Sequence, residues 1–299
     1  MSVSSLGFGF RVGHWTNEDG GTGCTVVIPP RGNVTSVEIR GSSPGSRELV
    51  SLDPSRRLDE VHAVMLAGGS AFGLSAAQGA MEWLEEKGIG YETPIATIPI
   101  VPSAVVFDLG TISGRARPGP AEGRAACDAA VEDAIPTGRV GAGTGATVGK
   151  WTGRDYLAPG GLGIGSAENG EAKVTALAVV NAIGDVLAED GTVLAGTSAP
   201  SPTFSLGASP EPAAPENTVL VVVATRANLA KREVHFLAGR GADGVTATVR
   251  PAHTRYDGDV AFAIAAPAGD GAATPNVDLL GLLAREAVTT AVRNAVRPS

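Results

Sequence analysis

With 299 residues, 43% of them hydrophobic, the chain can bury one large core or two medium ones, which excludes a disordered protein. A formal charge of −8 without clustered Lys or Arg excludes a nucleic-acid footprint, and the lack of any apolar run near 18 residues (about one membrane crossing) excludes a spanning helix. Only 4% of the residues are aromatic while 41 are Gly, so the interior must rest on Ala, Val, Leu and Ile with close backbone approaches, which suits layered sheets and helices.

The first residues, Met1-Ser2-Val3-Ser4-Ser5-Leu6-Gly7, carry neither a basic leader nor an apolar stretch, which reads as a cytoplasmic, soluble protein. Apolar, β-branched runs predict strands at Cys24–Ile28, Thr35–Arg40 and His62–Leu66. The third runs into Gly68-Gly69-Ser70-Ala71-Phe72-Gly73, and helical spacing then carries from Leu74 to Lys87, where Gly88 stops it. A second helix is expected between Ala121 and Ala134, whereas Val140 to Lys150 holds too many glycines for a regular one. Strands follow at Ala172–Val180 and Asp185–Ala188, and the turn Asn181-Ala182-Ile183-Gly184 is short enough to join them as a hairpin. The Pro-rich stretch from Thr197 to Glu216 cannot form a regular element. Beyond it the pattern is strand (219–225), helix (228–239), strand (259–266) and helix (277–296), a β-α-β-α unit.

Two cysteines, Cys24 and Cys127, cannot build a disulfide framework or a four-ligand zinc site. His14, His62, His235 and His253 are too dispersed for a metal pair, so a packing role is the default for each and no metal is expected. The spacing Gly141-x-Gly143-x-x-Ala146 satisfies a relaxed dinucleotide pattern, but its flanks do not read as strand, tight turn and helix. Gly149-Lys150 resembles the end of a phosphate loop, yet Thr144 stands where its first Gly belongs and Trp151 where Ser or Thr should follow. Neither fingerprint supports a nucleotide cofactor.

Asn217-Thr218 enters the apolar run Val219-Leu220-Val221-Val222-Val223-Ala224 directly from the Pro-rich stretch. It is either an ordinary strand start or a nucleophile released by cleavage, since an N-terminal threonine can use its own α-amine as base. Asp257-Gly258-Asp259 is either a simple turn or a carboxylate pair facing that threonine. Lys150 is either a solvated loop residue or a cation beside the nucleophile, and Asn181 either a turn residue or an oxyanion donor.

The order of these motifs resembles one family. Gly7-Phe8-Gly9-Phe10-Arg11-Val12-Gly13-His14-Trp15, the Val140 to Lys150 loop, Gly160-Gly161-Leu162-Gly163-Ile164-Gly165-Ser166, Val179-Val180-Asn181, Glu216-Asn217-Thr218-Val219 and Pro251 to Asp259 are together similar to the self-processing P1 peptidases. That family contains L-aminopeptidase/D-esterases, β-peptidyl aminopeptidases and 6-aminohexanoate-oligomer (nylon oligomer) hydrolases. The resemblance implies an α/β layered αββα sandwich of the N-terminal-nucleophile-hydrolase type, the DmpA/ornithine-acetyltransferase-type fold. It also implies self-cleavage between Asn217 and Thr218 into residues 1–217 and 218–299, which stay together as one folded domain and assemble as a tetramer of processed heterodimers. By position, Thr218 matches the nucleophile, and Lys150, Asn181, Asp257 and Asp259 match the lysine, asparagine and two aspartates of the active site. A threonine with paired aspartates looks more like the nylon-oligomer branch, the aminopeptidase branch typically having Ser as nucleophile and a Ser and Glu in place of the aspartates. Phe107 departs from that branch, which has a tyrosine there. No cofactor is implied, and the expected partner is a small amide, short peptide or oligomer substrate.

Overall fold

The computed structural model describes residues 4–200, 217–272 and 276–297, so most of the Pro-rich stretch, 201–216, lies outside the described residues. The N-terminal part supplies β1 (Arg11–Asn17), β2 (Thr22–Ile28), β3 (Val34–Ile39), β4 (Ser46–Arg47), β5 (Val64–Ala67), α1 (Ala76–Glu86), a small β6 (Tyr91–Glu92) and β7 (Thr97–Ile98) pair, β8 (Ser103–Val105) and α2 (Pro120–Asp128). The middle supplies β9 (Thr147–Val148), β10 (Ala158–Pro159), β11 (Gly161–Asn169), β12 (Ala172–Asn181), β13 (Asp185–Leu187) and β14 (Val193–Ala195). The last part is β15 (Thr218–Arg226), α3 (Lys231–Thr248), β16 (Val249–Arg250), β17 (Val260–Ala266) and α4 (Val277–Ala295).

Two five-stranded sheets dominate, with strand orders β1-β2-β5-β8-β4 and β11-β12-β15-β17-β3. Both are buried on two faces, so their strands read as near-continuous apolar runs whose alternate side chains enter different layers. On β15, Leu220, Val222 and Ala224 join Leu177 and Val179 of β12, Phe262 and Ile264 of β17, and Val27, Val64 and Leu66 of the other sheet, forming the layer between the sheets. Val219, Val221 and Val223 point the opposite way, into a layer with Val234, Leu237 and Val245 of α3 and Leu283, Val288 and Val292 of α4. Cys24, Val26, Met65 and Ala67 likewise face Ala76, Ala80 and Leu84 of α1 and Ala126 of α2. The order of layers is thus helices, sheet, sheet, helices, the αββα sandwich.

The β-α-β-α unit is present as expected: β15 and β17 are parallel and adjacent, with α3 as the crossover. Three expectations need correction. The turn after Asn181 is not a hairpin: β12 pairs β11 and β15, while β13 leaves the sheet to pair β14 and β16. The second helix ends at Asp128 rather than Ala134, and Val131 instead bridges to Val12 of β1, so main-chain pairing takes over from helical propensity. The third helix runs to Thr248 rather than to 239, because its apolar face continues through Ala242 and Val245 into the core. β11 was also not legible: its alternate glycines Gly161, Gly163 and Gly165 carry the strand against α4, whose main chain comes within 2.4 Å of where a Cβ would stand on each.

Candidate active site

Three segments converge at one end of the central strands of the second sheet. In the antiparallel pairing of β12 with β15, Asn181 stands directly opposite Thr218. The loop before β17 approaches from the other side of β15, where Asp257 forms an isolated parallel bridge with Asn217. Thr218, Asn217, Asn181, Asp257 and Asp259 are each at most 5% exposed, so five polar side chains share a buried corner. Buried polar groups require partners, and the bonding pattern shows how each is held.

Asn217 and Thr218 are one continuous chain here, and the Thr218 Oγ donates to the Asn217 carbonyl oxygen at 2.5 Å. The Gly258 N–H donates to the same oxygen at 2.8 Å. Asn217 Oδ1 is buried without a hydrogen-bond partner, an orphan whose desolvation costs on the order of 1–3 kcal/mol. A Cβ on Gly258 would stand 2.9 Å from Thr218 Oγ and 2.7 Å from the Ser43 carbonyl, so a residue without a side chain is required between the two aspartates.

Asn181 is fully buried and its carboxamide is clamped at both ends. Its Oδ1 accepts from Lys150 Nζ at 2.9 Å and the Thr147 N–H at 3.0 Å, and its Nδ2 donates to the Phe107 carbonyl at 3.0 Å. Lys150 Nζ also donates to the Asn181 main-chain carbonyl at 3.1 Å. The lysine reaches this point because the chain turns sharply at Gly149, whose φ of 76° is left-handed and whose absent side chain leaves room for the Thr197 N–H. Lys150 is therefore buried rather than solvated. The glycine segment around it makes only three-residue 3-10 turns and the two-residue β9, so neither nucleotide fingerprint acquires a helix.

Asp259 Oδ1 accepts the Val219 N–H at 2.6 Å, and its Oδ2 meets His253 Nδ1 at 2.7 Å. Asp257 Oδ2 accepts the Thr254 N–H at 2.6 Å. Burial, with the charge of Asp259 adding to it, pushes the Asp257 carboxyl up to about 6. Burial pulls His253 down, but the bond to Asp259 and that carboxylate's charge outweigh it and leave the imidazole raised. The site thus combines a hydroxyl against a carbonyl held by a main-chain donor, a carboxylate ready to take a proton near neutral pH, and an ammonium clamping an amide.

The structure brings all six main sequence candidates together: Thr218, Asn217, Lys150, Asn181, Asp257 and Asp259. Phe107 enters by a different route, since its main-chain carbonyl orients Asn181 while its ring is half-buried. Just behind it, Asp108 is buried and bonded to the Gly69 N–H and Thr22 Oγ at 2.7 Å each, which fixes this stretch. His253 has the packing role expected by default, and its packing partner is Asp259. The spacing of six residues to Asp259 carried no signal, as only the turn from Thr254 to Asp257 folds the two together. Cys24 and Cys127 are buried, with burial pushing both thiols up, so neither is a competing nucleophile. Among the described residues, no group of three or more His, Cys, Asp or Glu side chains could hold a metal ion.

Comparisons with known proteins fit this geometry. An uncharacterized aminopeptidase of Mycobacterium leprae (strain TN) is 39% identical over 297 residues, covering 90% of this chain and 80% of that protein. The 6-aminohexanoate-oligomer endohydrolase of Agromyces sp. (strain KY5R) is 31% identical over 309 residues, covering 96% of this chain and 84% of that one. Among solved structures, the L-aminopeptidase D-Ala-esterase/amidase of Ochrobactrum anthropi, described as a new variant among the Ntn hydrolase fold, superposes with a TM-score of 0.71 at 18% identity, covering 96% and 83% of the two chains. That likeness establishes the N-terminal-nucleophile-hydrolase-like sandwich. Since residues 8–298 match peptidase family S58 as a whole, the chain belongs to that family and is an amide-bond hydrolase.

Proposed function

We propose that the chain cuts itself between Asn217 and Thr218, and that Thr218 then acts as an N-terminal nucleophile on amides of the peptide or 6-aminohexanoate-oligomer kind. The observation that carries this reading is the pairing at the uncut bond, where Thr218 Oγ and the Gly258 N–H both bond the Asn217 carbonyl oxygen at 2.5 and 2.8 Å. In the proposed cleavage, Thr218 Oγ attacks the Asn217 carbonyl carbon, the Asn217–Thr218 C–N bond breaks, and the hydroxyl proton ends on the freed α-amine. Water then hydrolyses the ester, releasing the Asn217 carboxylate and regenerating the Thr218 hydroxyl. Relief of the orphaned Asn217 Oδ1 favours departure of the new C-terminus.

In turnover the Thr218 amine takes the Oγ proton as Oγ attacks a substrate amide, and passes it to the leaving amine. Asn181, held by Lys150, contributes to the oxyanion site, and the Asp257–Asp259 pair tunes the amine and hydroxyl. The acyl-enzyme is then hydrolysed by water. The products, residues 1–217 and 218–299, are roughly 22 and 8 kDa by residue share of 30.0 kDa, and remain associated as heterodimers that assemble into a tetramer. A denaturing gel and intact mass spectrometry test the cut. A single band that persists on long incubation, with full activity, overturns the proposal.

A second reading, cleavage of single residues from peptide N-termini, is favoured by the greater identity to the mycobacterial aminopeptidase, 39% against 31% for the endohydrolase. Parallel assays on α-peptide amides, β-peptides and 6-aminohexanoate oligomers separate the two. Adding an amine acceptor and measuring transfer against hydrolysis separates both from an ornithine-acetyltransferase-like activity.

A further inference from the structure

His253 lies beside the carboxylate pair, and both its ring nitrogens face acceptors: Asp259 Oδ2 at 2.7 Å from Nδ1 and the Ala242 main-chain carbonyl at 3.2 Å from Nε2. A neutral imidazole with its N–H on Nε2 satisfies both contacts only if Asp259 Oδ2 carries the proton; beside an ionised Asp259, only an imidazolium donates to both. The Ala242 carbonyl belongs to α3 and cannot change its role. The backbone at His253 is left-handed, φ 54°, a conformation that costs energy for a residue with a side chain and that aims the ring back at Asp259.

Asp259 is matched to this arrangement. Its other oxygen takes the Val219 N–H at 2.6 Å, so both oxygens of the carboxyl are engaged, one by the main chain and one by the imidazole. Asp257, its neighbour across Gly258, is held by a neutral donor, the Thr254 N–H. Two adjacent buried carboxylates do not both ionise readily, and the cation stands on the Asp259 side of the pair.

We propose that His253 is a positioning residue, held as an imidazolium between Asp259 and the Ala242 carbonyl, which keeps Asp259 ionised and directs the pair's titrating proton to Asp257 beside the Asn217–Thr218 bond. This rests on the reading above that the pair serves the reaction. Asp257 then takes and returns protons during catalysis, and Asp259 provides fixed negative charge and a hold on the first N–H after the nucleophile.

The other charged groups around His253 are paired with one another. From β3 and the residue just after it, Glu38 and Arg40 line the same small crevice as His253 and Asp259, with Arg40 paired to Glu38 at 2.5 Å. From α3, Asp243 meets Arg40 at 3.6 Å and Arg240 at 2.5 Å, and His235 faces Glu38 at 3.7 Å. Arg40 opposes the imidazolium, but its bonds to Glu38 and Asp243 moderate that effect.

The test is a nitrogen-15 histidine spectrum of the whole protein at pH 7, with a pH profile of kcat/KM for wild type and His253→Gln. The expected spectrum has one histidine with both ring nitrogens protonated, missing in His253→Gln. In that variant the acid limb of the profile moves up, so that activity at pH 6 falls about tenfold relative to the plateau at pH 9, which is retained, because loss of the cation raises the proton affinity of the carboxylate pair as a whole. A His253 ring that is a neutral tautomer at pH 7, or an acid limb that does not move, overturns the proposal. A plateau loss alone marks a structural role and also overturns it. If His253→Gln does not fold, His253→Asn takes its place, and the spectrum of the unaltered protein decides the protonation state by itself. The spectrum is independent of the cut, so failure of the nucleophile proposal, read as an uncut Asn217–Thr218 bond, is distinguishable from failure of this one.

Discussion

Gly258→Ala is the sharpest single perturbation of the geometry proposed for self-cleavage. The added methyl would stand 2.7 Å from the Ser43 carbonyl, 2.9 Å from Thr218 Oγ and 3.3 Å from Pro44 Cα. Two of these are closer than any carbon tolerates, and Ser43 is pinned by its own N–H to the Asp257 carbonyl at 3.0 Å, so the hydroxyl or the 257–258 peptide must give way. Overpacking of this kind costs about 1–3 kcal/mol. Spent at the reacting atoms it lowers the cleavage rate about 10- to 100-fold, because either the nucleophile or the Gly258 N–H leaves the Asn217 carbonyl. The assay is a time course of the roughly 22 and 8 kDa bands from freshly expressed precursor, beside Gly114→Ala, a control with open space around its added methyl. Cleavage of Gly258→Ala within twofold of wild type would refute the reasoning.

Thr218→Ala is expected to abolish both the cut and hydrolysis, since no other hydroxyl can stand beside the new amine; retained cleavage on a gel would move the nucleophile elsewhere. Asp257→Asn should inactivate yet stabilise the protein, in a pH-dependent way. Burial and Asp259 raise this carboxyl to about 6, so its neutral form is tolerated at low pH and its ionised form opposes folding as pH rises through 6. The gain in Tm over wild type should therefore be small at pH 4 and larger at pH 8, and the opposite trend counts against it. Phe107→Tyr adds one hydroxyl to a half-buried ring and should alter amide turnover with Tm unchanged; identical kinetics on every amide tested would show that the ring does not face substrate. Phe262→Ala, fully buried between the sheets, should cost about 3–5 kcal/mol, read in denaturant melts.

The layered fold was legible where side chains carry the pattern. Val219 to Ala224 and Val260 to Ala266 are apolar at every position, and Ala172 to Val180 at all but Lys173 and Thr175, the mark of strands covered on both faces, and the β-α-β-α order follows from their spacing. β11 escaped because its pattern consists of absent side chains: Gly161, Gly163 and Gly165 let α4 approach, and glycine in isolation reads as a turn. The departure of β13 from the main sheet was likewise invisible, since a four-residue turn permits a hairpin without requiring one. At the site, the family resemblance named six positions that the structure brings together, whereas residue types alone left each open between two readings. The bonds among them were not readable, because Lys150 to Asn181 and His253 to Asp259 depend on turns at Gly149 and around Thr254, whose direction local sequence does not encode.

The position of the Asn217–Thr218 bond explains how a chain can be cut there without losing its core. β15 is the central strand of its sheet, paired along its length with β12 on one side and β17 on the other. The bond lies at the first residue of that strand, so breaking it removes no pair within the ladder. Thr218 keeps its place opposite Asn181, and the Val219 N–H keeps Asp259 Oδ1. The alternate side chains of β15 remain locked into two apolar layers, one shared with the facing sheet and one with α3 and α4. On the proposed mechanism, the chain gains an amine at a point already fixed by the sheet, and gives up only the contacts of Asn217, whose buried Oδ1 is unsatisfied. If Thr218 is cut free as proposed, a central strand that starts with its nucleophile is rigid where chemistry needs it and free where the first product must leave.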